Sequence, residues 1–479
     1  MDDPGLPIKL GPCSNGEFSP QPTTELVREA VRRARRQCDE NARRLGMDRR
    51  DFLLTSMGAA TTLFALAACS SEQSGGRAGG TFDVPEEATV DADASLEALG
   101  DAQPVLDVQT HLLDLPPDYE GDAAELFPFQ TCGEENPNDC FTPERYLEEV
   151  FGRSDTTVAV LSALPVGDDG IDTLSPETMA ATREMVAELC SDGRVLAQGH
   201  AWPNVGRLEA AFDAMERERE DFDLVAWKTY THAGEGWSFD DHVGRPVGER
   251  FLAKVEEIGP PIVAVHKGLV VPGADPEGWS SPVDIGPAAR AHPDLTFCVY
   301  HSGFLPGTPE GPYTPDDPSG MDVFFKSLED AGIGPGENVY ADIGSTWKLN
   351  MVDPDIAAHV IGKLLVAVGE DRILWGTDSI WYGSPQDQIR AFRTFQISDE
   401  FQERFGYPAI TDEIRHKVLW RNAAGLYGVD VARFPCEADA RELEQSRRES
   451  AARLGNRTYG PTTRRAALRL FRAEHPWAF

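Results

Sequence analysis

Short apolar runs alternate with amphipathic segments along the chain from residue 105 onward. The apolar runs predict eight strands, at residues 105–110, 157–164, 194–199, 224–230, 262–266, 295–301, 339–343 and 373–377. The intervening segments predict helices at residues 143–151, 176–190, 207–219, 248–258, 282–291, 321–331, 354–368 and 386–395. Strands joined by helical crossovers pair in parallel. Eight such units favour a closed (β/α)8 TIM barrel, with a doubly wound open sheet as the alternative.

The region ahead of the barrel has a different pattern, with an amphipathic helix predicted at residues 24–45. Arg49 and Arg50 then precede a small, apolar run that ends in Leu-Ala-Ala before Cys69. This arrangement resembles a twin-arginine export signal followed by a lipoprotein box. It departs from the usual pattern in having Asp48 before the arginines and a long stretch upstream. A mildly apolar helix with chance arginines is the alternative.

The export interpretation divides the chain into four parts. Residues 1–68 form the leader, 69–102 a flexible linker, 103–430 the barrel and 431–479 a C-terminal helical extension. Acylation of Cys69 would then place a cell-envelope lipoprotein on the outer side of the cytoplasmic membrane, with the lipid as its one membrane contact. The extension either packs back on the barrel or forms a subunit contact in a homodimer. Cys132 and Cys140 either close a disulfide or remain free thiols.

Composition narrows the choice of partners. The 479 residues are 41% hydrophobic, which supplies a sizeable core, and carry 44 basic against 80 acidic side chains. A formal charge of −36 argues against a nucleic-acid partner, whose phosphates would be repelled. A small-molecule substrate stays open. Lys228 and Lys348, near strand ends, suggest an anionic group on it, although ordinary surface lysines explain them equally well. The first strand is not followed by a Gly-rich phosphate loop, which disfavours a nucleotide fold.

Polar side chains that suit a metal site fall at the ends of the predicted strands. Because the carboxyl ends of parallel barrel strands share one rim, these side chains are expected to converge. The set consists of Gln109, His111, Lys228, His266, His301 and Asp378. Imidazole and carboxylate groups bind zinc and similar ions, so we expect one divalent cation, Zn²⁺ first and Mn²⁺ or Fe²⁺ as alternatives. Each residue taken singly also has a structural explanation, and His200, His232, His242 and His292 are left unassigned.

At these positions the chain resembles the amidohydrolase superfamily, in its amidohydrolase-related branch of lactonases, hydratases and non-oxidative decarboxylases. Asp107–His111 (DVQTH) is similar to the family's D-x-H-x-H opening, and His266 to its strand-five histidine. His301-Ser302-Gly303 is similar to H-x-G, and Gly376-Thr377-Asp378 to G-x-D. Residues 422–428 (NAAGLYG) are similar to the N-A-x-x-L-Y-G ending. The resemblance covers residues 105–428.

The resemblance implies roles for these residues. Asp378 would bind the metal and accept a proton from water, and His111 and His266 would be ligands. His301 would be a ligand or would donate a hydrogen bond to the substrate. Lys228 matches a position that some members carboxylate to bridge two metals. Gln109 departs from the pattern, because its neutral amide replaces the first histidine of the opening and is a weaker ligand.

Three functions follow as hypotheses. The first is hydrolysis of a small amide, lactone or related carbonyl compound by metal-activated water. The second is non-oxidative decarboxylation of a ring carboxylate on the same scaffold. The third, motivated by Gln109, is a surface-tethered binding protein that has lost catalysis.

Overall fold

The computed structural model describes most of the chain. The described residues are 5–100, 103–114, 132, 134, 137–166, 171–189, 191–204, 206–242, 244–270, 275, 277–430 and 440–474. Much of the segment 111–141 after the first strand, the end of the second predicted helix at Cys190, and residues 431–439 and 475–479 of the predicted extension lie outside the described residues.

Eight parallel strands form the centre of the molecule. They are Val105–Thr110 (β2), Thr156–Leu161 (β3), Val195–His200 (β6), Leu224–Tyr230 (β7), Ile262–His266 (β8), Thr296–Tyr300 (β9), Val339–Asp342 (β10) and Ile373–Leu374 (β11). Each pairs with its neighbours in chain order. A parallel bridge between Thr110 and Ser379 joins the first and last strand segments, and Asp378 N donates to Gln109 O at 2.9 Å. These contacts close the sheet, so the predicted (β/α)8 TIM barrel is confirmed.

Smaller strands lie outside the barrel, and helices surround it. The smaller strands are Gly80–Phe82 (β1), Pro165–Val166 (β4), Ile171–Asp172 (β5) and Phe395–Ile397 (β12). The helices are Glu25–Leu45 (α1), Arg49–Leu53 (α2), Ser56–Gln73 (α3), Ala92–Leu99 (α4), Pro143–Tyr146 (α5), Pro176–Leu189 (α6), Leu208–Asp221 (α7), Gly248–Ile258 (α8), Ile285–Ala291 (α9), Asp322–Ala331 (α10), Thr346–Asn350 (α11), Pro354–Ala367 (α12), Gln386–Thr394 (α13), Asp399–Phe405 (α14), Asp412–His416 (α15), Asn422–Tyr427 (α16), Ala440–Leu454 (α17) and Arg464–Glu474 (α18).

The sequence explains why these elements form where they do. The six residues of β2 are all buried, and apolar strands covered on both faces are typical of parallel sheets. Helix α12 starts with Asp353 capping two backbone N–H groups and Pro354 at its first position. Strand β11 is shorter than predicted, and Trp375 N donates to Val418 O at 3.1 Å. The chain nevertheless continues beside β2, since Trp375 O accepts from Val108 N at 2.9 Å.

The N-terminal region packs against the outside of the barrel. Helix α3 contacts α12 and α13, and its residue Cys69 is 1% exposed. Residues 69–102, predicted as a flexible linker, contain the end of α3, strand β1 paired antiparallel with β12, and α4. Gly79 serves close packing here, since a Cβ at this position would lie 2.1 Å from the Phe401 ring. A glycine that permits close approach has the same sequence signature as one that permits flexibility.

The C-terminal region is helical and packs back on the barrel. Arg447 Nη1 lies 2.6 Å from Asp155 Oδ1, and Arg153 Nη2 donates to Gly455 O at 2.7 Å. Cys132 and Cys140 form a disulfide with their Cα atoms 5.8 Å apart. Within the described part of the chain, every helix is too short or too polar to span a bilayer.

Candidate active site

Five of the six residues predicted for the site meet at the carboxyl ends of the barrel strands. Gln109 Nε2 lies 3.1 Å from Asp378 Oδ1 and 3.2 Å from His301 Nε2. His111 Nε2 lies 3.2 Å from the same Asp378 oxygen. The rings of His266 and His301 are 4.6 Å apart between centroids. All five side chains are at most 2% exposed, so they form one buried group.

Each of the three histidines is anchored through one ring nitrogen to a backbone carbonyl. His111 Nδ1 lies 2.7 Å from Ser162 O, and His301 Nδ1 lies 2.7 Å from Gly344 O. His266 Nε2 contacts Leu269 O. A carbonyl oxygen only accepts hydrogen bonds, so each of these nitrogens carries a proton and donates it. The other nitrogen of each neutral ring therefore presents its lone pair to the site, as in metal-binding histidines.

Carboxylates lie opposite two of these lone pairs. His111 Nε2 faces Asp378, and His266 Nδ1 lies 3.7 Å from Glu17 Oε1 without a hydrogen-bond partner. A lone pair facing a carboxylate is repulsive unless a proton or a metal cation lies between them. Imidazole and carboxylate donors suit a divalent cation, and among the described residues the ligand atoms close enough together to share one include those of His266 and His301 but not those of His111 or Asp378.

Gln109 lies between Asp378 and His301. Its Nε2 donates to Asp378 and interacts with His301, while its Oε1 is buried without a hydrogen-bond partner. Gly344 makes room for this amide, because a Cβ there would lie 2.0 Å from Gln109 Oε1. The atom that Gln109 turns towards Asp378 and His301 is therefore its amide nitrogen, a hydrogen-bond donor that does not bind cations.

Burial controls the protonation of these groups. Burial lowers the pKa of His301 to about 4, against the opposing charge of Asp378. Burial also lowers the pKa of His266 well below its ordinary value, with His301 adding to the effect. Burial alone would raise the pKa of Asp378, but the neighbouring imidazoles of His111 and His301 hold it below its usual range. Neutral imidazoles beside an ionised carboxylate are the forms that bind a metal.

The backbone is strained at the same place. Among the described residues other than glycine, five have a positive φ, and four of them lie at this rim: His301, Ser302, Ser345 and Asp378. The values for His301 and Asp378 are 63° and 58°. A non-glycine residue in the left-handed region costs on the order of 1–3 kcal/mol and is often found at functional sites. Two of the predicted site residues carry this strain.

Lys228, the sixth predicted residue, has a different environment. Its Nζ lies 3.7 Å from the centre of the Tyr300 ring and 4.6 Å from that of Tyr230, with no hydrogen-bond partner. Burial lowers its pKa to about 7, against the opposing charge of Asp342. The contacts of Lys228 are thus with aromatic faces, while the other five predicted residues contact one another.

Sequence reasoning missed several residues of the site. Asp342, at the end of β10, accepts hydrogen bonds from His301 N and Gly344 N at 3.1 and 3.0 Å, and burial raises its pKa to about 7. His232 lies 4.9 Å from the His266 ring. Asp342 ends its strand as His266 does, so the strand-end criterion would have included it, whereas His232 follows β7 by two residues. Asn15 and Glu17 also reach the site, and no local pattern marks them.

Other polar residues have the structural roles that were left open for them. His242 lies beside Asp240, and His292 contacts Glu249 and Glu256 at the surface. His200 pairs with Glu218. Lys348, considered for an anionic substrate, is 1% exposed and lies 2.6 Å from Asp387, so its charge is already neutralised.

Structural comparison finds similarity to several solved structures. They include 2,6-dihydroxybenzoate decarboxylase from Rhizobium, 17% identical over 68% of this chain and 99% of that chain, with a TM-score of 0.37. The 5-carboxyvanillate decarboxylase of Sphingomonas paucimobilis is 12% identical over 69% of this chain and 100% of that one, with a TM-score of 0.41. Dihydroorotase of Saccharomyces cerevisiae is 11% identical over 70% and 86%, with a TM-score of 0.38. No curated protein matches the sequence.

The family comparison extends over most of the barrel. A sequence model described as amidohydrolase matches residues 106–429, well over half of the chain. The matched segment starts in β2 and ends just after α16, so it contains all eight barrel strands and every residue predicted for the site. On this match, the chain belongs to the amidohydrolase family.

Proposed function

We propose that this protein is a metal-dependent enzyme that hydrolyses a small carbonyl compound, such as an amide or a lactone. Membership of the amidohydrolase family makes it an enzyme of that scaffold. The observation that carries the proposal is the orientation of His111, His266 and His301, whose carbonyl-anchored rings present their other nitrogens to the site, those of His111 and His266 towards carboxylates. Such an arrangement is stable when a cation completes it.

The residues of the site have complementary tasks in this reaction. A divalent cation, when bound, polarises a carbonyl and makes water more acidic. Asp378 is ionised and accepts the proton of the attacking water. Ser345 Oγ and Asn15 Nδ2 donate to its Oδ2 at 2.5 and 2.9 Å, which directs Oδ1 towards His111. Gln109 Nε2 fixes the distance between Asp378 and His301.

The substrate is proposed to be a small molecule with little negative charge. The two lysines that suggested an anion are otherwise engaged, because Lys348 pairs with Asp387 and Lys228 packs against aromatic rings. With a pKa of about 7, Lys228 is only partly protonated near neutral pH. The rim therefore supplies less fixed positive charge than the sequence suggested.

Metal analysis of the full-length protein tests the site. We expect about one divalent cation per chain in the wild type and a large loss in His266→Ala. His292→Ala is the matched control, since this histidine contacts Glu249 and Glu256 at the surface and should leave the metal content unchanged. A wild type without stoichiometric metal after growth with added Zn²⁺ or Mn²⁺ would end the proposal.

The reaction is tested by its products. With a panel of lactones and amides in ¹⁸O-labelled water, hydrolysis places the label in the product. Ring carboxylates offered to the same preparation test decarboxylation. That reaction releases carbon dioxide and places no ¹⁸O label in the ring product. Asp378→Asn should lower kcat about 10²- to 10⁴-fold, the usual contribution of a positioned proton acceptor. Release of carbon dioxide alone would replace hydrolysis by decarboxylation as the reaction of this site.

A further inference from the structure

The N-terminal segment before α1 enters the rim of the barrel. Lys9 Nζ donates to Tyr382 O and Ser384 O at 2.5 and 2.8 Å. Six residues further on, Asn15 Nδ2 donates to Asp378 Oδ2 at 2.9 Å. The family match starts only at residue 106, so these contacts come from outside the matched region. The segment thus adds side chains to a site that the barrel strands alone do not complete.

Glu17 is the acidic side chain that this segment brings to the histidines. Its Oε1 lies 3.7 Å from His266 Nδ1. Glu17, His266 and His301 each offer a ligand atom, and these three atoms lie within 4.8 Å of one another. The distance suits donors around a shared cation, since two ligands of about 2.1 Å on one metal are separated by roughly 3–4 Å.

The backbone around Glu17 is held in place by a compact set of hydrogen bonds. Asn15 Oδ1 accepts from Glu17 N at 3.0 Å, and Asn15 Nδ2 donates to Glu17 Oε2 at 2.5 Å. Ser14 Oγ accepts from Gly16 N at 2.9 Å and donates to Phe18 O at 2.6 Å. Phe18 is 3% exposed and anchors the turn in the core. The carboxylate is therefore presented by a preorganised turn, which lowers the entropic cost of binding.

Two carboxylates and an unpaired imidazole nitrogen lie together at this point. Asn15 Nδ2 bridges the carboxylates of Glu17 and Asp378. Two carboxylates close together in a buried site repel each other. His266 Nδ1, in a side chain 1% exposed, has no hydrogen-bond partner and faces one of them. A divalent cation between these groups would neutralise both carboxylates and satisfy the imidazole.

We propose that Glu17 is a ligand of the divalent cation, together with His266 and His301, so that the N-terminal segment completes the metal site. This inference rests on the proposed metal-dependent function. It gives Gln109 a counterpart: the barrel has a neutral amide where the family resemblance expects an imidazole, and Glu17 supplies a charged oxygen nearby. A carboxylate oxygen is a stronger ligand for a divalent cation than an amide oxygen.

Metal titration of the full-length apoprotein tests the assignment without relying on activity. Glu17→Gln keeps the size of the side chain and removes its charge, and we expect Mn²⁺ to bind at least about tenfold more weakly, the lower end of what even outer-shell partners cost. Glu25→Gln is the control, because Glu25 is an exposed residue at the start of α1 and should bind Mn²⁺ like the wild type. Thermal unfolding of the apoproteins shows whether each variant is folded.

A thiol at the same position reports direct coordination. In the Co²⁺-loaded Glu17→Cys protein we expect a thiolate-to-metal charge-transfer absorption that the wild type lacks. Glu25→Cys is the matched control and should lack it, since residue 25 faces solvent. This band requires a bond between residue 17 and the metal, so a merely structural role for the segment would not produce it.

The outcomes distinguish a failure of Glu17 as a ligand from a failure of the proposed metal-dependent function. If the wild type and the Glu17 variants all bind Mn²⁺ with equal affinity and Glu17→Cys shows no new band, Glu17 is not a ligand, although the metal site stands. If Glu17→Gln binds Mn²⁺ with the affinity of the wild type but has a higher kcat, the segment obstructs the rim, which overturns the inference. A wild type that binds no metal removes the proposed function together with this ligand.

Discussion

The barrel and the N-terminal region show how differently sequence patterns relate to structure. In the barrel, residues 103–430, the same pattern of strand and helix recurs, and each strand pairs with the strands next to it in chain order. In the N-terminal region, residues 5–100, the decisive contacts reach residues several hundred positions away, such as Asn15 with Asp378. Periodicity records the first kind of contact and carries no information about the second.

The contrast is sharpest in α3. Its composition and the preceding Arg49-Arg50 resemble an export signal, and that interpretation stays a prediction about processing in the cell. In the folded chain, α3 residues Leu63 and Leu66 are fully buried in the same core cluster as barrel residues. Cleavage before Cys69 would remove α1, α2, most of α3 and Glu17. The mass of the mature protein in its membrane fraction therefore decides between a leader and a part of the enzyme.

The largest expected effect comes from a chain that begins at residue 70. It lacks buried side chains such as Phe18, Leu63 and Leu66, each worth about 1.5–3 kcal/mol when fully buried. Removing the region also exposes the apolar barrel surface that it covers, and domains are stable by only roughly 5–15 kcal/mol, so we expect no cooperative thermal unfolding. Circular dichroism of both chains measures this. A shortened chain that unfolds at the wild-type temperature would show that the region is detachable.

A smaller effect is expected from a single change within α3. Leu63→Ala should lower the free energy of unfolding by about 2–5 kcal/mol, because Leu63 is fully buried. Leu45→Ala at the end of α1 is the matched control, since Leu45 is 39% exposed, and should change it by less than about 0.5 kcal/mol. Urea denaturation of the full-length proteins gives both values. Equal effects would mean that α3 is not packed as described.

The barrel was predictable because its signals are local. Predicted and observed bounds coincide for β2, β7 and β8, where apolar runs end at polar residues. The errors lie where tertiary contacts decide, as at β11, after which Trp375 N donates to Val418 O outside the predicted barrel strands. The sequence likewise did not show that Gly79 packs against Phe401.

The candidate site was predictable only where it follows the barrel. His111, His266, His301 and Asp378 were found because strand ends converge in any closed parallel barrel. Glu17 was not, since its place depends on a turn held by Asn15 and on a segment that crosses the rim. The alternation of strands and helices carries no signal for such a crossing.

Lys9 gives a pH-dependent test of the contact between the two regions. Burial lowers its pKa from 10.5 to about 8, against the opposing charge of Asp387. Between pH 8 and 10.5, Lys9 binds more protons in the unfolded chain than in the folded chain. The contribution of Lys9 to the free energy of unfolding therefore rises with pH and is smallest below pH 8. At about 1.4 kcal/mol per pKa unit the rise is at most about 3 kcal/mol.

The measurement compares wild type with Lys9→Met by urea denaturation at pH 7, 8, 9 and 10. The difference in unfolding free energy should increase in favour of the wild type above pH 8. Lys326→Met, at an exposed residue paired with Asp330, is the control and should give a constant difference over this range. A constant difference for Lys9→Met as well would show that Lys9 is solvated and that the segment is not seated at the rim.

The smallest expected effect concerns the coupling of Gln109 and Glu17. If Glu17 supplies what Gln109 lacks, Gln109→His should bind Mn²⁺ more tightly, and Glu17→Gln should then cost less than it does in the wild type. We expect a coupling of about 1 kcal/mol, typical of residues that share a partner, from the Mn²⁺ affinities of the two single variants, the double variant and the wild type. Additive effects would mean that the two residues act on the cation independently. The N-terminal segment would then reach the rim without compensating for the glutamine that replaces a histidine at position 109.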